Sequence, residues 1–108
     1  MILSYKDPNG NARKLRLKTI AVKPITIGRG KEADVQIEDG NCSRVHCAIR
    51  YWDDIFVVRD MHSRNGTFLN GNKIDVAQLK PGDVLKIGNT EMHAQPEAGS
   101  SLDVTMVG

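Results

Sequence analysis

The sequence predicts an all-β fold, a sandwich of two twisted, mainly antiparallel sheets with the functional loops at one end. Three observations predict it. Short apolar runs recur over positions 1–95, turn signals rich in Gly, Asn and Asp separate them, and no window sustains a helical apolar period. In chain order, residues 2–5 and 15–20 flank Asp7-Pro8-Asn9-Gly10-Asn11, a hairpin loop by composition. Residues 25–27 end at Gly28, and residues 35–37 end at Glu38-Asp39-Gly40. Residues 46–52 and 55–59 form a second hairpin around Asp53-Asp54. Residues 67–69 run into Asn70-Gly71, the strongest short hairpin signal in the chain. Pro81-Gly82-Asp83 turns the chain into residues 84–87, and a last strand covers 91–95. Regular short strands between such turns are the pattern of a sandwich. Residues 1–95 are therefore expected to form one domain. Residues 96–108, opening on Pro96-Glu97-Ala98-Gly99-Ser100-Ser101, are expected to form a flexible tail or linker.

Bulk properties narrow the function more by exclusion than by assignment. A chain of 108 residues is long enough for one core without staples. Hydrophobic content of 40% and charged content of 26% are ordinary for a globular protein. A formal net charge of +2 makes no bulk case for nucleic acid or membrane binding. No apolar stretch approaches the roughly 18 residues that a membrane span requires. The opening Met1-Ile2-Leu3-Ser4-Tyr5-Lys6 turns polar too soon for a secretory leader. Cys42 and Cys47 are then expected to be reduced thiols, in a cytoplasmic and monomeric protein.

What remains is a dispersed constellation: Gly28-Arg29, then Ser43-Arg44-Val45-His46, then Asn65-Gly66-Thr67. Each piece lies in a turn-like segment. A phosphate monoester carries close to two negative charges and three strong acceptor oxygens. Arginine suits it best, being always charged and able to donate two parallel hydrogen bonds. Arg29, Arg44 and Arg64 all fall in expected loops. Ser43 offers a hydroxyl, and Asn65 offers both donor and acceptor for a peptide backbone. Gly28 and Gly66 fit places where the chain turns sharply or lets another group come close.

The order and spacing of these pieces resemble the forkhead-associated (FHA) family, β-sandwich modules that bind phosphothreonine peptides. The resemblance covers roughly residues 26–92. It rests on Ile27-Gly28-Arg29, Ala33-Asp34-Val35, Ser43-Arg44-Val45-His46-Cys47-Ala48-Ile49, Asp60-Met61-His62-Ser63-Arg64-Asn65-Gly66-Thr67, Leu69-Asn70-Gly71 and the run Leu79-Lys80-Pro81-Gly82-Asp83-Val84 onward to Gly88. It implies that Arg29 and Ser43 bind phosphate oxygens, that Arg44 adds a contact, and that Asn65 holds the ligand backbone. Arg64 stands where many members carry Thr or Ser, and is expected at the phosphate. His46 is implied to be architectural, fixing the serine-bearing segment, with Gly28 and Gly66 shaping the loops. Asp60 and Asp83 are expected to anchor turns. Asn41 is placed to touch ligand residues C-terminal to the phosphothreonine, and its neutrality argues against a strong acidic preference there.

The resemblance implies a signalling adaptor, without catalysis or cofactor, whose partner is a phosphothreonine-containing protein: a Ser/Thr kinase or its substrate. A phosphate-independent scaffold is the alternative, since some relatives have lost the binding Arg or Ser. Thr105 in the tail is a candidate for docking in cis or in a neighbour's site once phosphorylated.

Other chemistries fit less well. Asp7-x-Asn9-x-Asn11 begins like a calcium loop, but Ala12 stands where glycine is needed and Lys18 where the bidentate acid belongs. Cys42, His46, Cys47, His62 and His93 match no common zinc spacing. A Ser43–His46–Asp60 hydrolase lacks the Gly-x-Ser-x-Gly elbow. Trp52, Phe56, Tyr5 and Tyr51 are too few for a base-stacking platform.

Overall fold

Alternation of apolar and polar residues builds two sheets that close on one core. A computed structural model describes residues 1–19 and 23–97. Eleven strands are present: β1 (Ile2–Lys6), β2 (Ala12–Arg16), β3 (Ile25–Gly28), β4 (Val35–Gln36), β5 (Cys47–Trp52), β6 (Ile55–Asp60), β7 (Thr67–Leu69), β8 (Asn72–Ile74), β9 (Val76–Leu79), β10 (Val84–Ile87) and β11 (Thr90–Gln95). One sheet has the order β2-β1-β11-β10-β7-β8, the other β4-β3-β5-β6-β9. Only the β3–β4 pair is parallel. The expected mainly antiparallel sandwich is therefore the observed fold.

Strand β11 shows the patterning most clearly: Thr90, Met92 and Ala94 are buried while Glu91, His93 and Gln95 are exposed. Leu3, Leu85, Ile87 and Met92 from the six-stranded sheet meet Ile27, Val58 and Leu79 from the five-stranded one, all at most 1% exposed. Full burial of such a side chain contributes about 1.5–3 kcal/mol, so this set supplies most of the driving force. The tilted Tyr51–Phe56 pair, with ring centroids 4.8 Å apart, extends the packing on β5 and β6.

Three departures from the expected strands have local causes. Ile20 of the strand placed over 15–20 lies outside the described residues; the pairing strand is instead β2, directly across the hairpin from Lys6↔Ala12 to Ile2↔Arg16. The loop closes through Asp7 N–H to Asn11 O at 2.9 Å, so pairing begins at once and Leu17 is left to enter the core. The strand placed over 35–37 stops at Gln36: Ile37 N–H makes the last rung of the parallel ladder to Gly28 O at 2.8 Å, and Asp39 N–H then bonds back to Ile37 O at 2.8 Å, turning the chain. Strands β8 and β9 were not expected; they are short, and Asn72-Lys73-Ile74 has no apolar alternation to mark it. The Asn70-Gly71 hairpin is confirmed, with φ of 51° and 86° at its two central residues. In the hairpin loop, the Asp7 carboxylate accepts the N–H groups of Asn9 and Asn11, a turn device that occupies one of its oxygens. Residues 98–108, with Thr105, lie outside the described residues.

Strand register gathers three loops at one end. Ile27 pairs with Cys47, and Cys47 with Asp60, so the end of β3, the start of β5 and the end of β6 share one row. The chain leaves that row through residues 29–34, 37–46 and 61–66.

Candidate functional site

The first two loops are zipped together by backbone. Arg29 N–H donates to Ser43 O and Gly30 N–H to Arg44 O, both at 2.9 Å, while His46 N–H reaches Ile27 O at 2.8 Å. This demands glycine at position 28: a Cβ there would lie 2.2 Å from the Arg44 carbonyl oxygen. Its need is for close approach, since its φ is ordinary, whereas Gly66 sits at φ +90°, where a side chain is strained.

His46 ties the second loop to the third. Its ring is fully buried, Nδ1 accepts the Ser43 N–H at 3.0 Å, and Nε2 lies 2.8 Å from Gly66 O. A carbonyl can only accept, so the proton sits on Nε2 and Nδ1 is the acceptor. With both nitrogens engaged by backbone, the imidazole has no lone pair aimed at the Ser43 hydroxyl. The hydrolase reading fails on this geometry.

Two carboxylates hold the loops, and only Asp39 was missed as a partner from the sequence. Asp39, 5% exposed, accepts Asn41 N–H, Asn89 N–H and the Thr90 hydroxyl at 2.8–2.9 Å. Burial pushes its carboxyl pKa up, but the three hydrogen bonds outweigh that and hold it below the usual carboxylate range. Asp60, expected as an anchor, accepts the Ser63 and Thr67 hydroxyls and the Ser63 N–H. Burial opposes these bonds too, and its net shift is also downward. Ser63 Oγ in turn accepts Gly66 N–H at 3.0 Å, closing the third loop on itself. The spacing Asp60-x-x-Ser63 was a readable signal of such a turn; nothing local marks Asp39 as a link to residues 50 positions away. Asp83 caps its own turn, accepting Lys80 N–H at 2.7 Å and Asn70 Nδ2 at 2.9 Å.

Between the loops lies a cavity of about 390 Å³, lined by Arg29, Asn41, Ser43, Arg44, Arg64 and Asn65 with Gly40 and Cys42. No carboxylate is among its lining residues. Arg29 Nε donates to Cys42 O at 3.1 Å, which steers the side chain and leaves its terminal N–H groups uncommitted within the described residues. Ser43 Oγ accepts Arg64 N–H at 2.8 Å, so its own proton remains to be donated. Asn65 Nδ2 holds Asn41 O at 2.9 Å, bracing the second loop against the third. Arg44 borders the cavity, but its guanidinium is turned to Glu32 in a two-point pair at 2.9 and 3.1 Å. That pairing lowers the Glu32 carboxyl pKa and raises that of Arg44. Glu32 was not foreseen, nor was Gln36, whose Nε2 donates to Arg29 O at 3.1 Å. The structure thus brings all five expected binding residues to one concavity, with one of the three guanidinium groups engaged elsewhere.

Cys42 and Cys47 are free, buried thiols. Burial pushes each pKa up to about 12, so neither is a nucleophile near neutral pH.

A two-sheet sandwich that concentrates arginine, hydroxyl and amide donors on three braced loops is a binding module for an anion carried on polypeptide. A family model described as FHA domain matches residues 25–88, and the chain belongs to this family of non-catalytic interaction modules. FHA domain-containing protein FhaA of Mycobacterium tuberculosis is 36% identical over 66 residues, 61% of this chain and 12% of FhaA. Glycogen accumulation regulator GarA of the same species is 32% identical over 88 residues, 82% of this chain and 52% of GarA. The chain thus spans about half or less of these curated relatives. Among solved structures, the FhaA FHA domain complexed with the intracellular domain of Rv3910 aligns with TM-score 0.72 and 30% identity, covering 84% of this chain and 97% of that one. A second, from a structural and functional analysis of phosphothreonine-dependent FHA domain interactions, aligns with TM-score 0.71 and 28% identity over 90% and 98%.

Proposed function

We propose that this domain binds a phosphothreonine in an extended segment of another protein, as an adaptor read out by Ser/Thr-kinase signalling. The observation that carries the reading is the donor set of the 390 Å³ cavity: Arg29, the Ser43 hydroxyl and Arg64 converge where no carboxylate competes. A dianionic phosphate satisfies such donors, and an unphosphorylated threonine does not. Arg29 and Ser43 take the phosphate oxygens directly. Asn65 presents its carbonyl and second amide proton to the ligand backbone while bracing Asn41. Arg64 lends charge to the phosphate, and Arg44 joins it only on leaving Glu32. Preference for threonine follows the relative whose FHA interactions are phosphothreonine-dependent. The partner class is a kinase or a kinase substrate, encountered in the cytoplasm by a monomeric module.

Fluorescence anisotropy with a degenerate phosphothreonine peptide pool, beside matched threonine and phosphoserine pools, tests this. The phosphothreonine pool binds most tightly. Losing a charge-assisted bond costs about 1.5–3 kcal/mol, so Arg29→Ala weakens binding at least about tenfold. Equal affinity for the threonine pool would overturn the reading in favour of a phosphate-independent scaffold.

A further inference from the structure

A concavity larger than the loop cavity lies elsewhere on the described residues. It is an open groove of about 710 Å³ on the outer face of the six-stranded sheet, bordered by Lys6, Arg13, Lys14 and Lys86. Arg13 is held by Asp7 at 3.0 Å. Among the described residues, Lys6, Lys14 and Lys86 have no carboxylate within ion-pairing distance, although Glu91 stands opposite Lys86 in the ladder and also borders the groove. Lysines on an edge strand commonly guard against strand addition, which would account for Lys14 on β2. It does not account for Lys86 on β10 or Lys6 on β1, which are interior strands. Ser4 pairs with both Lys14 and His93, so the outward residues of β2, β1 and β11 form a continuous row across this face.

The groove and the loop cavity are linked through Asp39. Asn89 borders the groove and Asn41 the cavity, and the two backbone N–H groups bond opposite oxygens of the one Asp39 carboxylate. That carboxylate ties one residue on the rim of the groove to one on the rim of the cavity.

We propose that the groove receives an acidic segment of the same phosphorylated ligand, running on from the loop cavity over the Asn41–Asn89 ridge. This rests on the phosphopeptide reading above. Carboxylates on an extended chain complement the uncommitted ammonium groups, while the open lysine stems accept the backbone between them. The phosphate then supplies phospho-dependence, and the acidic run, several residues removed, supplies selection among phosphorylated partners.

The probes are degenerate phosphothreonine peptides carrying a four-glutamate or four-serine run on either side, at spacers of two to six residues, and free hexaglutamate. Several exposed ion pairs together tighten binding about tenfold for the glutamate peptide on one side only. That gain disappears in about 0.5 M salt and in the Lys14→Glu/Lys86→Glu variant, whose affinity for the serine-run peptide is unchanged. In amide NMR titrations, hexaglutamate shifts Lys6, Lys14 and Lys86 even where no phosphopeptide binds, which separates the groove from the phosphothreonine reading. No gain on either side together with no hexaglutamate shifts at these residues overturns the proposal. So does a DNA oligonucleotide that binds the same residues more tightly than any glutamate peptide, which would reassign the groove to nucleic acid.

Discussion

Replacing Asp39 by Asn separates a carboxylate that organises the loops from one that merely fills space. The Asp39 Oδ1 accepts Asn41 N–H at 2.9 Å, and Oδ2 accepts Asn89 N–H and the Thr90 hydroxyl at 2.8 Å. An amide of the same shape keeps one acceptor oxygen. Whichever way it turns, its NH₂ faces one of the two backbone N–H groups, donor against donor; only Thr90 can rotate to adapt. One lost charge-assisted bond and one unpaired buried donor give a destabilisation of about 2–4 kcal/mol. For a domain with total stability of about 5–15 kcal/mol that is a large fraction, read as a urea midpoint lower by about 1–2 M. The pH dependence has a definite sign. The folded carboxyl titrates below its ordinary value of 3.8, so its contribution is complete above that value and is lost as pH falls through the folded pKa. The gap between wild type and Asp39→Asn therefore stays constant down to about pH 5 and closes on acidification below about pH 4. Equal urea midpoints at neutral pH would refute the reasoning, as would a gap that persists undiminished at about pH 2.

Three further outcomes follow from the same loops. Gly28→Ala sets a Cβ against the Arg44 carbonyl, a backbone atom that cannot step aside, and destabilises by about 1–3 kcal/mol in urea or thermal unfolding; unchanged stability would mean the two loops are not zipped as described. Glu32→Gln breaks the charge pairing that holds Arg44, and tightens phosphopeptide binding about threefold as the guanidinium turns to phosphate; weaker binding would show that Glu32 serves the ligand instead. Cys42 and Cys47 resist a thiol reagent at about pH 8 in the folded protein and react only in denaturant, because burial holds both as thiols; rapid labelling of either would contradict their burial.

Turn chemistry and strand alternation were legible because their causes lie within a few residues. Asn70-Gly71 names its own turn, and β11 displays its two faces in six letters. The arginines, Ser43 and Asn65 were recognisable as phosphate chemistry before their distances were known, since residue type sets what a group can donate. Strand β8 escaped notice because three polar-leading residues carry no period, and β2 was displaced because hydrogen-bond closure of the turn, not apolarity, sets where pairing begins.

The sequence by itself determined the sandwich, the three loops and the kind of ligand their side chains suit. Tertiary structure alone decided how the loops are braced and which donors stay available: Asp39 reaching Asn89 and Thr90, His46 spanning Ser43 and Gly66, and Glu32 drawing Arg44 aside. It also decided that lysines scattered over β1, β2 and β10 would border one groove. Each of these depends on which segments the register of the strands sets side by side, and no local pattern encodes the partner of a side chain that bonds across the fold.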